Sequence, residues 1–388
     1  MEWMIDLGEA GLTSIVRHPL RSAVVSVCIA LTIVPFLVLT AISAAVRHDA
    51  LLSIEEGADL YVTATEFGEA TALPLAAAET VRAWDGVERV TPRVTGRVWL
   101  GREKLDVVVV GLPAADRPAL AHGLRGRWFS DGPTPELVLG SQLAGRLKLK
   151  PGDYVPPFYT SRRGDRVARV VGVFESEVSV WESNLMLTSL EHASDIFDEP
   201  GKATELLVWC RPGYESAVRD QVLRGAQSWR PQATTKAELL ASVPSGLAFR
   251  DGVLAWMYLT AFVCAMLVVA VASGIGLSER RREIGILKAL GWQTDALLLR
   301  SFVESLALSS LGTSLAVVAA HAWLRYGHGV GARNVLLPGA DPDAAVPYRM
   351  FVEPTLLAAG VALVVVLTGS LWSTWRAAMA PPSDAMRG

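Results

Sequence analysis

Hydrophobic and polar positions sort this chain into long apolar runs flanking a mixed middle. Ser22 to Val46 contains no charged residue, and neither does Gly252 to Leu277. A third run, Ala296 to Leu324, is interrupted near its start by Arg300 and Glu304, and a fourth extends from Thr355 to Trp375. Each reaches the roughly 20 apolar residues that a bilayer-spanning helix requires. The pattern therefore predicts four transmembrane α-helices, at 21–46, 252–278, 296–324 and 355–375, with a large segment, 47–251, between the first and second.

Within 47–251 the periodicity changes. Leu60–Thr65, Val94–Leu100, Val107–Val110 and Val167–Phe174 are rich in β-branched and aromatic residues and bounded by Gly, Pro and Asp, which marks strands. Residues 76–83, 189–197 and 214–228 read as helices, the last with Val218, Val222 and Leu223 at helical spacing. Glu136 to Val155 reads as strand, short amphipathic helix and turn, with Pro151-Gly152-Asp153 supplying the turn. An α+β domain follows. Its large aromatics (Trp99, Trp128, Phe129, Phe158, Tyr159, Trp181) are expected mainly in the core, the other reading being an apolar ligand site. Arg162-Arg163-Gly164-Asp165-Arg166 reads as an exposed hairpin tip.

Composition agrees with this division. At 51% hydrophobic and 19% charged residues, the chain is too apolar for an ordinary soluble enzyme and too charged for helices in lipid alone. Basic residues set the orientation. Arg17 and Arg21 precede the first span; Arg280, Arg281, Arg282 and Lys288 separate the second from the third; Arg376 and Arg387 follow the fourth. Arg47, Arg250 and Arg325 are the weaker counterweight on the opposite side. Both termini are thus expected in the cytoplasm, with 47–251 and a short loop, 325–354, outside, and a cytoplasmic tail at 376–388. The first apolar run is longer than a signal-peptide core, so a retained anchor is expected. Residues 1–20 read as an amphipathic elbow helix broken at His18-Pro19. Cys28 and Cys264 fall in spans; Cys210 is read as a small buried residue, an intermolecular disulfide being the alternative.

No Gly-x-x-x-x-Gly-Lys-Ser/Thr loop, His-Glu-x-x-His pair or Gly-x-Ser-x-Gly elbow occurs in the sequence. The histidines are scattered without metal-ligand spacing, and a formal charge of −3 gives no reason to expect a nucleic-acid partner. No catalytic, cofactor or metal site is expected.

Between the second and third apolar runs stands Ser278-Glu-Arg-Arg-Arg-Glu-Ile-Gly-Ile-Leu-Lys-Ala-Leu-Gly-Trp292. On a helix, Ile284, Leu287 and Lys288 fall near one face, while Arg281, Arg282 and Gly285 turn elsewhere. Two readings fit: a docking helix whose apolar side enters a groove on a cytosolic partner, or a basic loop on anionic headgroups. Arg300 and Glu304, spaced i, i+4, read as a pair near the cytoplasmic interface, either structural or coupled to energy use.

The span order, the 279–291 run, the Val138 to Asp153 run, Glu304 and the closing Pro382-Ser-Asp-Ala-Met-Arg387 together resemble the MacB/FtsX-like permeases of ABC transporters, the mechanotransmission type. The resemblance implies a bacterial inner-membrane, multi-pass subunit that binds no ATP itself. A separate cytosolic ABC ATPase would bind it, with Glu279, Arg281, Arg282, Glu283, Ile284, Gly285, Leu287, Lys288 and Gly291 as the coupling residues in a cytoplasmic helix at 279–295. It further implies a second permease copy or paralogue, contact with the lipid bilayer, and a periplasmic adaptor or envelope protein as a further partner. The implied activity is export or extraction of a lipoprotein, amphiphile, peptide or haem. The alternative is ATP-driven signalling that activates an envelope partner such as a cell-wall hydrolase.

Overall fold

A computed structural model describes residues 19–66, 69–100, 105–132, 134–156, 158–161, 164–165, 167–225, 230–274, 286, 293–332 and 346–379. The expected elbow helix at 1–20, apart from its last residues, lies outside them, as does most of 279–295. The chain divides into a helical unit (1–44, 249–338 and 348–388) and an α+β unit (45–248 and 339–347).

The helical unit is built from α1 (Pro19–Glu55), whose residues from Ala45 onward belong to the α+β unit. It also holds the later part of α7 (Lys236–Gly274), then α8 (Thr294–Tyr326) and α9 (Val352–Met379). Among the described residues, Ser22–Glu55 and Thr294–Tyr326 are long and apolar enough to cross a membrane. The second and fourth expected spans contain shorter apolar helical stretches, Ala255–Val268 and Val352–Thr368. Two spans are therefore supported where four were expected.

The α+β unit contains one 11-stranded mixed sheet. In chain order its strands are β1 (Leu60–Glu66), β2 (Glu69–Thr71), β4 (Val87–Leu100), β5 (Leu105–Leu112), β6 (His122–Gly126), β7 (Glu136–Gly140), β8 (Tyr154–Val155), β11 (Ala168–Glu175), β12 (Leu185–Ser189), β14 (Glu205–Cys210) and β15 (Pro231–Thr235). Two small pairs stand apart: β3 (Leu73–Pro74) with β13 (Lys202–Ala203), and β9 (Thr160–Ser161) with β10 (Gly164–Asp165). The main path runs β15-β1-β14-β4-β5-β12-β7-β11-β6, with β2 on β1 and β8 on β11. The β9–β10 pair brackets Arg162-Arg163, as a hairpin requires.

Strand β4 joins the two halves of this sheet. Its first half pairs with β14, from Val87 opposite Cys210 to Arg93 opposite Glu205. Its second half pairs with β5, from Val94 opposite Gly111 to Leu100 opposite Leu105. Because strand side chains alternate between faces, each half buries its own core. In the first half Leu60, Val62, Val90, Leu206, Val208 and Cys210 pack under α2 (Ala76–Arg82) and α6 (Glu215–Gly225). In the second half β7 and β12 are buried at every position, the continuous apolar pattern of strands covered on both faces. One face packs Leu137, Leu139, Val107 and Met186 against Leu143 and Ala144 of α3 (Ser141–Leu147). The other packs Val138, Leu187 and Phe174 against Phe129, Trp128 and Trp181. Trp181 lies on α4 (Ser179–Asn184), and α5 (Leu190–Ile196) follows β12. Trp99 departs from the core expectation for the aromatics: it is 61% exposed, near the end of β4.

Three local arrangements fix these elements. Asp49 of α1 is buried, and its Oδ2 accepts from the backbone N–H of Ser179 at 3.0 Å, holding the start of α4. Glu136, at the first position of β7, is buried and accepts from Arg127 Nη1 at 2.8 Å, from Arg127 Nη2, and from the N–H and hydroxyl of Ser130 at 3.0 Å each. Gly152 adopts φ +106° in the turn after α3, where the Asp153 carboxylate accepts from the Lys150 N–H at 2.8 Å. This is the turn that Pro151-Gly152-Asp153 predicts.

Candidate functional site

Of the expected coupling segment, Glu279, Arg281, Arg282, Glu283, Ile284, Gly285, Leu287, Lys288 and Gly291 lie outside the described residues. Ile286 within it is helical and exposed. The expected pair, Arg300 and Glu304, lies within the described residues. Arg300 and Glu304 sit one turn apart on α8, Glu304 buried and Arg300 half-buried, and neither lacks a partner. Glu304 belongs to the buried stripe of α8, together with Ser301, Ser305, Leu308, Ser309, Gly312, Thr313, Ala316 and Ala320. The hydroxyl of Ser305 donates to the Ser301 carbonyl at 2.8 Å, so part of this polarity is satisfied within the helix. Farther along, Gly312 lies against Ile29 and the Ser26 carbonyl of α1. Small residues at such a crossing let two backbones approach closely.

The α+β unit holds a cavity of about 340 Å³. It forms where the face of the first half-sheet opposite α2 and α6 meets the Val108, Val110, Leu185 and Leu187 side of the second. Alternation along β14 points Leu206, Val208 and Cys210 into the core and leaves Leu207 and Trp209 on the cavity wall. Tyr61, Arg89, Thr91 and Arg93 line it from β1 and β4, Trp181 from α4, and residues 116–120 with Ser53, Glu56, Gly57 and Ala58 add to the lining.

Its polar groups are arranged in sequence along β4. Asp116 accepts from the Thr91 hydroxyl at 2.7 Å, tying the 116–120 segment to the sheet. Arg93 Nε donates to Glu205 Oε1 at 2.8 Å in a half-buried ion pair. Arg89 stacks its guanidinium 3.7 Å from the Trp209 ring centroid, and its approach to Asp116 is 3.7 Å, beyond hydrogen-bond length. Burial pushes the Tyr61 phenol up despite the Arg93 charge, so it stays neutral. Arg89, Tyr61, Leu207 and Trp209 were not singled out by sequence reasoning. The available signal was β14 itself: Glu205-Leu-Leu-Val-Trp-Cys210 places apolar residues on both faces of a strand that the helices cover on one.

Two family models match the chain. One, the MacB-like periplasmic core domain, covers residues 22–224. The other, the FtsX-like permease C-terminal region, covers residues 256–382. The chain belongs to the MacB/FtsX-like permease family. This permease is similar to an uncharacterized ABC transporter permease of Methanocaldococcus jannaschii, with 26% identity over 204 residues, half of this chain and 49% of that protein. The permease thus spans about half the length of that curated relative. Among solved structures it is similar to the periplasmic region of MacB from Actinobacillus actinomycetemcomitans (14% identity, 50% of this chain and 97% of that one, TM-score 0.36). It is also similar to the extracellular domain of YknZ, a noncanonic ABC-type transporter from Gram-positive bacteria (14% identity, 46% and 99%, TM-score 0.34). Family membership makes the permease a membrane protein with a large extracytoplasmic α+β domain.

Proposed function

We propose that this chain is the membrane subunit of an ABC transporter whose ATP is hydrolysed by a separate cytosolic subunit. The motor docks on the cytoplasmic helix at 279–295, and its closure moves the extracytoplasmic domain to export or extract a substrate. The observation that carries the reading is the densely charged Glu279–Gly291 run between apolar segments, in a family member lacking a phosphate-binding Gly-x-x-x-x-Gly-Lys-Ser/Thr loop. A bilayer-facing loop needs basic residues, but not the interleaved Ile284, Leu287 and Gly285 that suit a protein groove. The working unit is a pair of permeases, in keeping with the two-fold symmetry commonest among soluble homo-oligomers. Both termini face the cytoplasm, as the basic residues beside the spans favour. The two-cored extracytoplasmic domain supports substrate handling over simple signalling. Affinity purification from native cells in mild detergent tests this. A stoichiometric Walker-motif ATPase that is lost on Leu287→Glu or Arg281→Glu supports the proposal; a preparation without an ATPase at native expression overturns it.

A further inference from the structure

The cavity of the α+β unit has no task in the proposed mechanism, yet it has the composition of a ligand site. Its volume of about 340 Å³ lies at the small end of the roughly 300–1,000 Å³ that small-molecule pockets span. That size fits a medium-length alkyl chain or a fused ring and is too small for a folded domain. Leu207, Val110, Leu185, Leu187 and Trp181 make the walls apolar.

Among the arginines on these walls, Arg89 is the one that lacks a hydrogen-bonded partner among the described residues; Glu56, exposed, is the anion there in the same state. Arg93 is committed to Glu205 at 2.8 Å, and Arg117 Nε and Nη2 both donate to the Ala121 carbonyl, at 3.2 and 3.0 Å. Asp116 is held by Thr91. Arg89 makes no such commitment: its guanidinium carbon lies 3.7 Å from the Trp209 ring centroid and its Nη1 stays 3.7 Å from Asp116. Stacking fixes the guanidinium plane, so its N–H fork is presented to an incoming acceptor with little further ordering. A planar fork of this kind matches a carboxylate in two parallel hydrogen bonds.

We propose that this cavity binds a small anionic amphiphile, its acid head on Arg89 and its apolar body along Leu207, Trp209 and the Val110–Leu187 wall. The site goes beyond the transport reading, since occupancy requires only the extracytoplasmic domain and no ATPase. The loss of one proposal therefore leaves the other standing.

The test uses the full chain in lipid nanodiscs and a decanoate carrying a diazirine and an alkyne, crosslinked by light and mapped by mass spectrometry. Label is expected on peptides containing Leu207–Trp209 and Leu185–Leu187, competed by plain decanoate and about tenfold less well by decanol. Arg89→Gln is expected to weaken competition by decanoate about tenfold, the scale of one charge-assisted contact. Leu207→Trp, which fills the space, is expected to abolish this label, with Leu187→Phe as the second filling variant if Leu207→Trp fails to fold. Label confined to the spanning helices, equal label in a folded filling variant, or equal competition by decanol and decanoate each overturns the proposal.

Discussion

Placing a β-branched side chain at Gly312 probes a close crossing of α1 and α8. A Cβ at this position meets Ile29 Cγ2 at 2.8 Å and Ile29 Cβ at 2.9 Å, with the Ser26 carbonyl oxygen at 3.2 Å. Ile29 is buried and its Cβ is fixed to the backbone of α1, so no rotamer change clears the contact. Overpacking of this kind costs about 1–3 kcal/mol, against which the better helix propensity of Val over Gly returns about 0.5 kcal/mol. Gly312→Val is therefore expected to lose about 0.5–2.5 kcal/mol, measured by denaturant titration in mixed micelles with tryptophan fluorescence. Ile29→Ala removes the obstructing branch and costs about 2–5 kcal/mol by itself as a cavity. The double variant is expected to be more stable than the sum of the singles, by about 1–3 kcal/mol of coupling. Strict additivity, or a Gly312→Val protein as stable as the parent, would refute the crossing.

Further expectations concern the extracytoplasmic domain. Burial raises the Glu136 carboxyl, but hydrogen bonds from Arg127 and Ser130 together with the Arg127 charge outweigh it, so its folded pKa lies below the ordinary value. Its contribution is thus present above the unfolded carboxylate value of about 4.3 and is lost as pH falls through the lower folded value. Melting temperatures compared between about pH 6 and pH 3 should drop less steeply for Glu136→Gln than for the parent, and parallel curves would contradict the assignment. Gly140→Ala brings a Cβ to 2.4 Å from the Glu182 carbonyl oxygen and 2.5 Å from that of Trp181. Since backbone must shift, a loss of about 1–3 kcal/mol is expected in thermal unfolding, and a neutral result would show that α4 sits elsewhere. Cys210 is buried in the first core, and burial together with the Asp59 and Glu215 charges pushes its thiol up to about 11. It should resist thiol reagents at neutral pH until the domain is denatured, and rapid labelling of native protein would contradict its placement.

Much of this architecture was legible wherever one physical signal dominated. Alternation in Leu60–Thr65 and Val94–Leu100 marked strands that form, and Val218 and Val222 marked the buried side of α6. Pro151-Gly152-Asp153 gave the turn because φ above zero needs Gly. Hydropathy failed at helix ends for a clear reason. It reports where the apolar run stops, at Val46, whereas α1 continues to Glu55 through charged positions, among them Asp49, which the Ser179 N–H engages. The core expectation failed at Trp99, which is exposed near the end of a long strand. The cavity was illegible because it depends on strand order: β4 meets β14 across more than a hundred residues, a pairing no local pattern announces. The 279–291 charge run, expected to couple to an ATPase, falls outside the described residues apart from Ile286, so its reading rests on the sequence alone.

The central claim is that a separate ATPase, acting through the 279–291 segment, moves the extracytoplasmic domain. The most direct measurement places a spin label at an exposed position such as Trp99 in both permease copies of the purified complex. Inter-label distances are then recorded without nucleotide and with ATP and vanadate. A nucleotide-dependent change in the distance distribution that disappears in Leu287→Glu is the predicted result. Identical distributions in both states, from a complex that hydrolyses ATP, would contradict the account.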